Sequence, residues 1–363
     1  MKSRSQTRSF KVGDLPIGGG APVSVQTMAN IDPRDADALS AQIRRCADLG
    51  CDLYRMTVPD VQAAEVLGVV RRTSPIPLVA DIHFDYRCAL AAIAAGADAL
   101  RLNPGNIGSR DRVQAVARAA KAKGVPIRIG VNLGSLQKDL RGELEAGRIG
   151  VPEALVRSAL GQLKLLEDEG LRACVISAKA SNVADTLATY RLLAERTDCP
   201  LHLGVTEAGT FLPGAVRSSV ALGVLLSEGI GDTIRVSLTD QPEKEVRVGM
   251  EILRSLGLRP QGPAITSCPT CGRTKVDLVR VATAVETALE ARYGRTAGRT
   301  GGWFPRVAVM GCVVNGPGEA RGADVALCGG TGEFVLYVRG RQVCKVSEAD
   351  AVSKVMEYVD SLR

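Results

Sequence analysis

"PLVADIHFDYRCALAAIAAGADALRLNPG", residues 77–105, holds one complete unit of the pattern that decides the fold. A short apolar run, PLVADIH, ends in polar residues. A helix-period segment, YRCALAAIAAGADAL, follows, with a glycine near its end as helix stops often have. A second apolar run, ALRLNPG, then repeats the first. The rhythm extends from about residue 20 to 258 through SVQTM, DLYRMTV, PIRIGVN, ACVISAKA, LHLGVTEAG and TIRVSL. Helical stretches such as ADALSAQIRRCADLG and DRVQAVARAAKAKG lie between these runs. Eight strand-and-helix units of roughly 25 to 35 residues predict an α/β architecture, an N-terminal (β/α)8 barrel of the TIM type. An open doubly wound sheet is the alternative, but no G-x-G-x-x-G opens a helix after the first strand.

The rhythm breaks after EILRSLGLRPQGPA. Pro260, Gly262 and Pro263 suit a linker, which divides the chain into a barrel over residues 1–259 and a smaller α/β domain over 260–363. In the second part a helical stretch, KVDLVRVATAVETALEARYG, leads to a Gly-rich insert, RTAGRTGGWFPR. The short strands VAVMGC, DVALCG, FVLYVRG and QVCKV follow, then a terminal helix, EADAVSKVMEYVDSLR.

Hydrophobic residues at 45% and charged residues at 23% are ordinary for a globular chain. No apolar stretch reaches a membrane-spanning length, so no membrane span is expected. The N-terminal MKSRSQTRSFKVGDLPIGGG lacks an apolar h-region and a cleavage site, which makes the cytoplasm the expected location. A net charge of +7 favours anionic partners without choosing among them. With 3% aromatic residues and no basic block, nucleic acid is not the expected partner.

Parallel barrel strands are buried, so charges inside them need a reason. Arg55, Arg101, Arg128, Lys179 and Arg235 fall in the expected strands 2, 4, 5, 6 and 8. His83 ends strand 3 and Glu207 ends strand 7. Asn103 and Asn132 stand two and four residues beyond their arginines, on the same strand face by period-two geometry. One such cation could pair with a neighbouring acid. Five converging on the C-terminal half of a barrel call for an anion, because an isolated buried cation costs several kcal/mol, roughly, in desolvation. A phosphate or diphosphate suits guanidinium forks, and this is the end where barrel enzymes place their sites. Glu207 and His83 are then available for proton transfer.

Ten cysteines in a chain expected to be cytoplasmic argue for reduced thiols. Cys46, Cys51, Cys88, Cys174, Cys199, Cys328 and Cys344 are scattered and read as small buried hydrophobes. Cys268 and Cys271 form a C-x-x-C, and Cys312 opens GCVVNGPGEA, which returns through a turn to Glu319. A zinc site completed by Cys328, a redox dithiol, and an iron–sulfur cluster held by three thiolates and Glu319 are all compatible with this set. In the last case a carboxylate, harder and more labile than thiolate, leaves one iron open to substrate.

At this point the resemblance becomes specific. VQTMAN, PLVADIHFDYR, LRLNPGNIG, PIRIGVNLGSLQKDL, SAKAS, PLHLGVTEAG, LLSEGIGDTIRVSLT, CPTCGR and GCVVNGPGEA resemble, in order, the motifs of bacterial 4-hydroxy-3-methylbut-2-enyl diphosphate synthases in their two-domain form. The resemblance implies an oxidoreductase of non-mevalonate isoprenoid biosynthesis. Its reaction is the reductive ring opening and dehydration of 2-C-methyl-D-erythritol 2,4-cyclodiphosphate. It also implies a 4Fe–4S cluster on Cys268, Cys271, Cys312 and Glu319, fed one electron at a time by flavodoxin or ferredoxin. The barrel cations Arg55, Arg101, Arg128, Lys179 and Arg235 would hold the diphosphate. His83, Asn103, Asn132 and Ser237 would support them, with Asn315 beside the cluster. Glu207 would protonate the departing hydroxyl. Members are homodimers in which one chain's cluster domain closes over the other's barrel.

The sequence departs from the family pattern at NIDPRD, at Leu212-Pro213 after TEAG, and in the Gly-rich insert between Cys271 and Cys312. A zinc-stabilised phosphate-ligand or RNA-binding protein is the competing reading. A pterin-type transferase barrel is a third, which leaves the cysteine-bearing domain unexplained.

Overall fold

The computed structural model describes residues 3–260, 262–293, 303–314, 318 and 321–363. It divides into two compact units, Met1–Arg259 and Pro260–Arg363.

The first unit opens with a hairpin that the periodicity does not announce, β1 (Phe10–Val12) and β2 (Leu15–Ile17). Eight parallel strands follow: β3 (Ser24–Met28), β4 (Leu53–Thr57), β5 (Leu78–Asp81), β6 (Ala99–Leu102), β7 (Ile127–Val131), β8 (Cys174–Ala178), β9 (His202–Leu203) and β10 (Thr233–Ile234). They pair in the order β8-β7-β6-β5-β4-β3-β10-β9, and a bridge between Ile176 and Leu201 joins β8 to β9. The expected barrel is therefore present, with helices such as Ala36–Asp48, Tyr86–Ala94 and Arg110–Lys123 between its strands. Side-chain oxygens of Asp35, Asp60, Asp85 and Asn182 cap backbone N–H groups at four helix starts. Leu212 and Pro213, read as a departure, sit in the first turn of the helix Phe211–Ser227, where a missing N–H costs little.

Two boundaries differ from the sequence reading, and both matter at the site. Strands β8 and β10 end at Ala178 and Ile234, so Lys179 and Arg235 lie one residue beyond them rather than within them. Likewise His83 follows the end of β5 by two residues and Glu207 follows β9 by four. Polar side chains occupy places where the ladder has already released the backbone.

Along each strand the inward positions recur every second residue. At the N-terminal end they are apolar: Leu53, Val79, Ala99 and Val175 form one cluster with Val12 and Ile17 of the hairpin. The hairpin thus closes the barrel floor. Two residues further on, the same faces carry Arg55, Asp81, Arg101 and Ser177. The barrel is apolar below and ionic above.

The second unit is a five-stranded sheet: β11 (Ala264–Ser267), β12 (Arg306–Met310), β13 (Val325–Gly329), β14 (Glu333–Val338) and β15 (Arg341–Ser347). β11, β12 and β13 run parallel, and the remaining pairings are antiparallel. The sequence reading passed from the linker residues Pro260, Gly262 and Pro263 to the C-x-x-C and missed β11, whose four residues are too short to show a period. Helices Leu278–Tyr293 and Ala351–Ser361 pack on the sheet through Val281, Val285, Leu289 and through Ala351, Val355, Val359. That spacing of four residues is a helix burying one stripe.

Ile17 is 1% exposed in the floor cluster. Ile17→Ala should destabilise the barrel by about 2–5 kcal/mol, as large-to-small core changes do, measured by urea unfolding. An unchanged midpoint would show that the hairpin is not part of the packed floor.

Candidate functional site

Above the apolar floor lies a cavity of about 200 Å³. It is lined by Arg55, Arg101, Arg128, Lys179 and Arg235, together with Met28, Asp81, His83, Asn132, Ser177, Thr206 and Ser237. All five expected cations therefore meet in one chamber. Asp81 is the one carboxylate among the lining residues.

The backbone makes room for this crowding. Gly130 follows Arg128 on the inward face of β7, and a Cβ there would fall 2.4 Å from Arg101 Nε. A Cβ at Gly204 would fall 2.8 Å from Lys179 Nζ. Any side chain at either position would displace a cation.

Asp81 is 1% exposed and accepts a hydrogen bond from Arg101 Nη1 at 3.1 Å. It also faces Arg55 Nε at 3.5 Å and His83 Nε2 at 4.0 Å. Burial would raise its pKa, but the charges of Arg55 and Arg101 outweigh that effect and hold it below the ordinary carboxylate range. Arg55 also donates to Met28 Sδ, at 2.6 Å from Nη2 and 3.2 Å from Nε. A thioether is a weak acceptor. Burial, despite Asp81, lowers the Arg55 pKa to about 10, with Arg235 and Arg101 adding repulsion.

Arg128 is 6% exposed. Its Nη1 donates to Gln26 and lies 3.3 Å from the His202 ring. Its Nη2 is buried without a hydrogen-bond partner among the described residues. Burial, and then Arg128, push His202 well below its usual range, so the imidazole is neutral. Lys179 has no carboxylate partner among the described residues, and burial and the four arginines press its pKa well down. Arg235 is better supported: it donates to Ser237 Oγ at 2.6 Å and to Glu245 Oε1 at 2.8 Å. Glu245, 3% exposed, further accepts from Thr27 Oγ1 at 2.7 Å and Leu238 N at 2.9 Å.

A cavity with this excess of positive charge and an orphaned guanidinium nitrogen is built to take a polyanion. Sequence reading found the cations and Asn132 and Ser237, which line the cavity. Asn103 is 3% exposed and is not among the lining residues. Glu207 lies outside the lining as well, exposed and with a left-handed φ of 53°. Such backbone costs about 1–3 kcal/mol in a non-glycine residue and gathers at functional sites. Asp81, Met28, Gln26, His202 and Glu245 escaped the reading. Asp81 and Gln26 carried the same signal as the arginines, polar residues in strand runs.

In the second unit, Cys268 follows β11 and Cys312 follows β12. Gly311 N donates to Cys268 Sγ at 3.2 Å, and a Cβ on Gly311 would fall 2.9 Å from Thr274 Oγ1. Thr274 in turn bonds Cys271, accepting from its N–H at 3.3 Å. Cys268 thus meets Gly311 directly, Cys312 is its chain neighbour, and Cys271 is linked to it through Thr274. Backbone N–H of Arg273 and its guanidinium lower the Cys271 pKa, favouring thiolate. Among the described residues no three His, Cys, Asp or Glu side chains stand at metal-ligand spacing. Glu319 and Asn315 lie outside the described residues. The donor chemistry nevertheless fits an iron–sulfur group, which takes soft thiolates. Cys328 is buried beside this set: Cys268 packs against its cluster, and burial raises its thiol to about 11, with Cys312 adding to the shift.

Comparison with known proteins now decides the family. The GcpE TIM-barrel domain model matches residues 7–250 and the GcpE C-terminal domain model matches residues 264–361. The chain belongs to the GcpE family. A Geobacter sulfurreducens relative of the family is 52% identical over 99% of this chain and 98% of its own. A Clostridium acetobutylicum relative is 49% identical over 99% of each. Both are 4-hydroxy-3-methylbut-2-en-1-yl diphosphate synthases (flavodoxin). A Yersinia pestis dihydropteroate synthase aligns over 69% of this GcpE chain and 97% of its own, at 15% identity and a TM-score of 0.48, too low to bear on function.

Asp81→Asn leaves Arg55 and Arg101 without their buried anion and should cost about 3–5 kcal/mol. Added inorganic pyrophosphate should narrow the gap to wild type in denaturant unfolding. An equal deficit with and without pyrophosphate would separate the cations from anion binding.

Proposed function

We propose that the barrel cavity holds the diphosphate of the cyclic substrate and that the cysteine-bearing unit carries a 4Fe–4S cluster on Cys268, Cys271, Cys312 and Glu319. The chain is an oxidoreductase of non-mevalonate isoprenoid biosynthesis, as its family is. It converts 2-C-methyl-D-erythritol 2,4-cyclodiphosphate to (E)-4-hydroxy-3-methylbut-2-enyl diphosphate by reductive ring opening with loss of water. The observation that carries the site assignment is the five-cation cavity with the unpartnered Arg128 Nη2.

Cys268, Cys271, Cys312 and Glu319 would hold the cluster, which when bound would supply electrons singly and a Lewis-acidic iron. The chain's own residues do the rest. Arg55, Arg101 and Arg128 take diphosphate oxygens, with Asp81 fixing the first two. Lys179, Arg235 and Ser237 close the other side, with His83 and Asn132 at the rim. This grip keeps the diphosphate in place when its ring C–O bond opens and its negative charge rises. Asn103 backs the rim, Asn315 contacts substrate, and Glu207 delivers a proton to the departing hydroxyl. Flavodoxin is the donor the relatives' names support, ahead of ferredoxin.

A homodimer with a site shared between chains, and a cytoplasmic location, complete the proposal. No helix among the described residues is long and apolar enough to cross a membrane. Light scattering should give about twice the 38.2 kDa of one chain.

Anaerobic turnover of the cyclodiphosphate with a chemical reductant tests the reading. Glu207→Gln should lower kcat by about 10²–10⁴-fold with KM nearly unchanged, and Glu319→Ala should abolish turnover. Colourless, zinc-loaded protein that ignores Glu319→Ala would contradict it.

A further inference from the structure

One end of the second unit's sheet carries a charge cluster that the proposed reaction does not use. Strand β14 ends at Val338 and β15 begins at Arg341, its register partner, so Arg339 and Gly340 form a two-residue hairpin turn. Both have left-handed φ, 47° and 75°. This is the backbone of a type I′ turn, which favours Asn-Gly or Gly-Gly. Arginine gains nothing from that conformation and bears its strain.

The neighbours explain the choice by charge. A Cβ on Gly340 would lie 3.8 Å from Arg321 Cα. Arg339 N donates to the Asp324 carbonyl at 2.9 Å, and Arg306 N donates to Asp324 Oδ2 at 2.8 Å. Arg306, Arg321, Arg339 and Arg341 are thus gathered about Asp324, and all four are exposed. Arg306 Nε reaches Asp324 only at 4.0 Å, and the other three have no carboxylate partner among the described residues. Trp303, 43% exposed, enters the same strand end just before β12. Arginine with unmet charge and exposed tryptophan are residues that anchor protein interfaces.

We propose that this end of the sheet is the docking face for an acidic electron-carrier protein. The inference rests on the reading of the chain as a flavodoxin-dependent reductase. Charge complementarity selects the partner: electron-transfer encounters are small, transient and steered by opposite charge rather than by apolar burial. They bury less than about 1,200 Å² in total, so each side is a patch roughly 25 Å across. Strand β12 carries the chain only about 13 Å from Arg306 to Met310, and Cys312 follows two residues later. The arginines therefore stand about one β12 length from the thiol-bearing ends of β11 and β12. Arg339 is exposed at the hairpin turn that ends this patch.

The test uses anaerobically purified, cluster-loaded protein and a bacterial flavodoxin, with a small viologen reductant in parallel. Arg339→Asn should keep or raise the thermal midpoint, since asparagine suits the turn, while weakening calorimetric binding of oxidised flavodoxin about 3- to 10-fold, within the range of electrostatic steering. R321E/R339E/R341E should raise the KM for reduced flavodoxin at least tenfold and remove its dependence on salt. Turnover with the viologen should stay at the wild-type rate. Unchanged flavodoxin binding and KM in both variants would overturn the proposal. So would weakened self-association with an unaltered flavodoxin KM, which would assign the face to a second copy. Failure of the wild type to turn over with viologen would instead overturn the reading of the activity.

Discussion

Five buried or half-buried cations share one barrel mouth with a single lining carboxylate, and the rest of the first unit is arranged around that imbalance. A guanidinium cannot escape by losing its proton at neutral pH, so the repulsion must be met by geometry. Asp81 meets part of it by bridging Arg55 and Arg101, and Glu245 meets part by holding Arg235. Met28 sulfur and the neutral His202 ring stand where stronger acceptors could stand. The remaining deficit is concentrated on Arg128 Nη2 and Lys179, deep on the inward faces.

The same constraint shapes the barrel at both ends. Parallel strands must be buried on two faces, so the floor is filled with Leu53, Val79, Ala99 and Val175 and closed by Val12 and Ile17. Charge then has one direction to face, the C-terminal mouth. Glycines at 130 and 204 are required because neighbouring strands bring Arg101 and Lys179 over their Cα atoms. In the second unit the logic is reversed. An apolar sheet covered by two helices leaves the ends of β11 and β12 to carry thiols, and the opposite end of β12 to carry arginines.

Much of this was legible in the sequence because period-two strands and period-3.6 helices alternate cleanly, and because Arg55, Arg101 and Arg128 interrupt apolar runs. Glycine following Arg128 and preceding Val205 was visible but carried no message until neighbouring strands were placed beside it. Asp81 carried the same signal inside its run PLVADIH, but only the cations were followed to the barrel mouth. Glu245 was hidden by distance, since its helical run gives no hint that it reaches Arg235 and Thr27. The β1–β2 hairpin and β11 were missed because three or four residues show no period. Lys179 and Arg235 were placed in strands that end one residue earlier, since an apolar run does not reveal where the ladder stops. The thiol set was legible as chemistry through Cys268, Cys271 and Cys312. The raised thiol of Cys328 depends on burial that only the packed sheet supplies.

The central claim is that the cation cavity exists to hold a diphosphate. An anaerobic crystal structure with the cyclodiphosphate bound tests it most directly. The account predicts diphosphate oxygens within hydrogen-bond distance of Arg128 Nη2, Lys179 Nζ and the Arg55 guanidinium. A cavity left to water, with the diphosphate bound elsewhere on the chain, would contradict it.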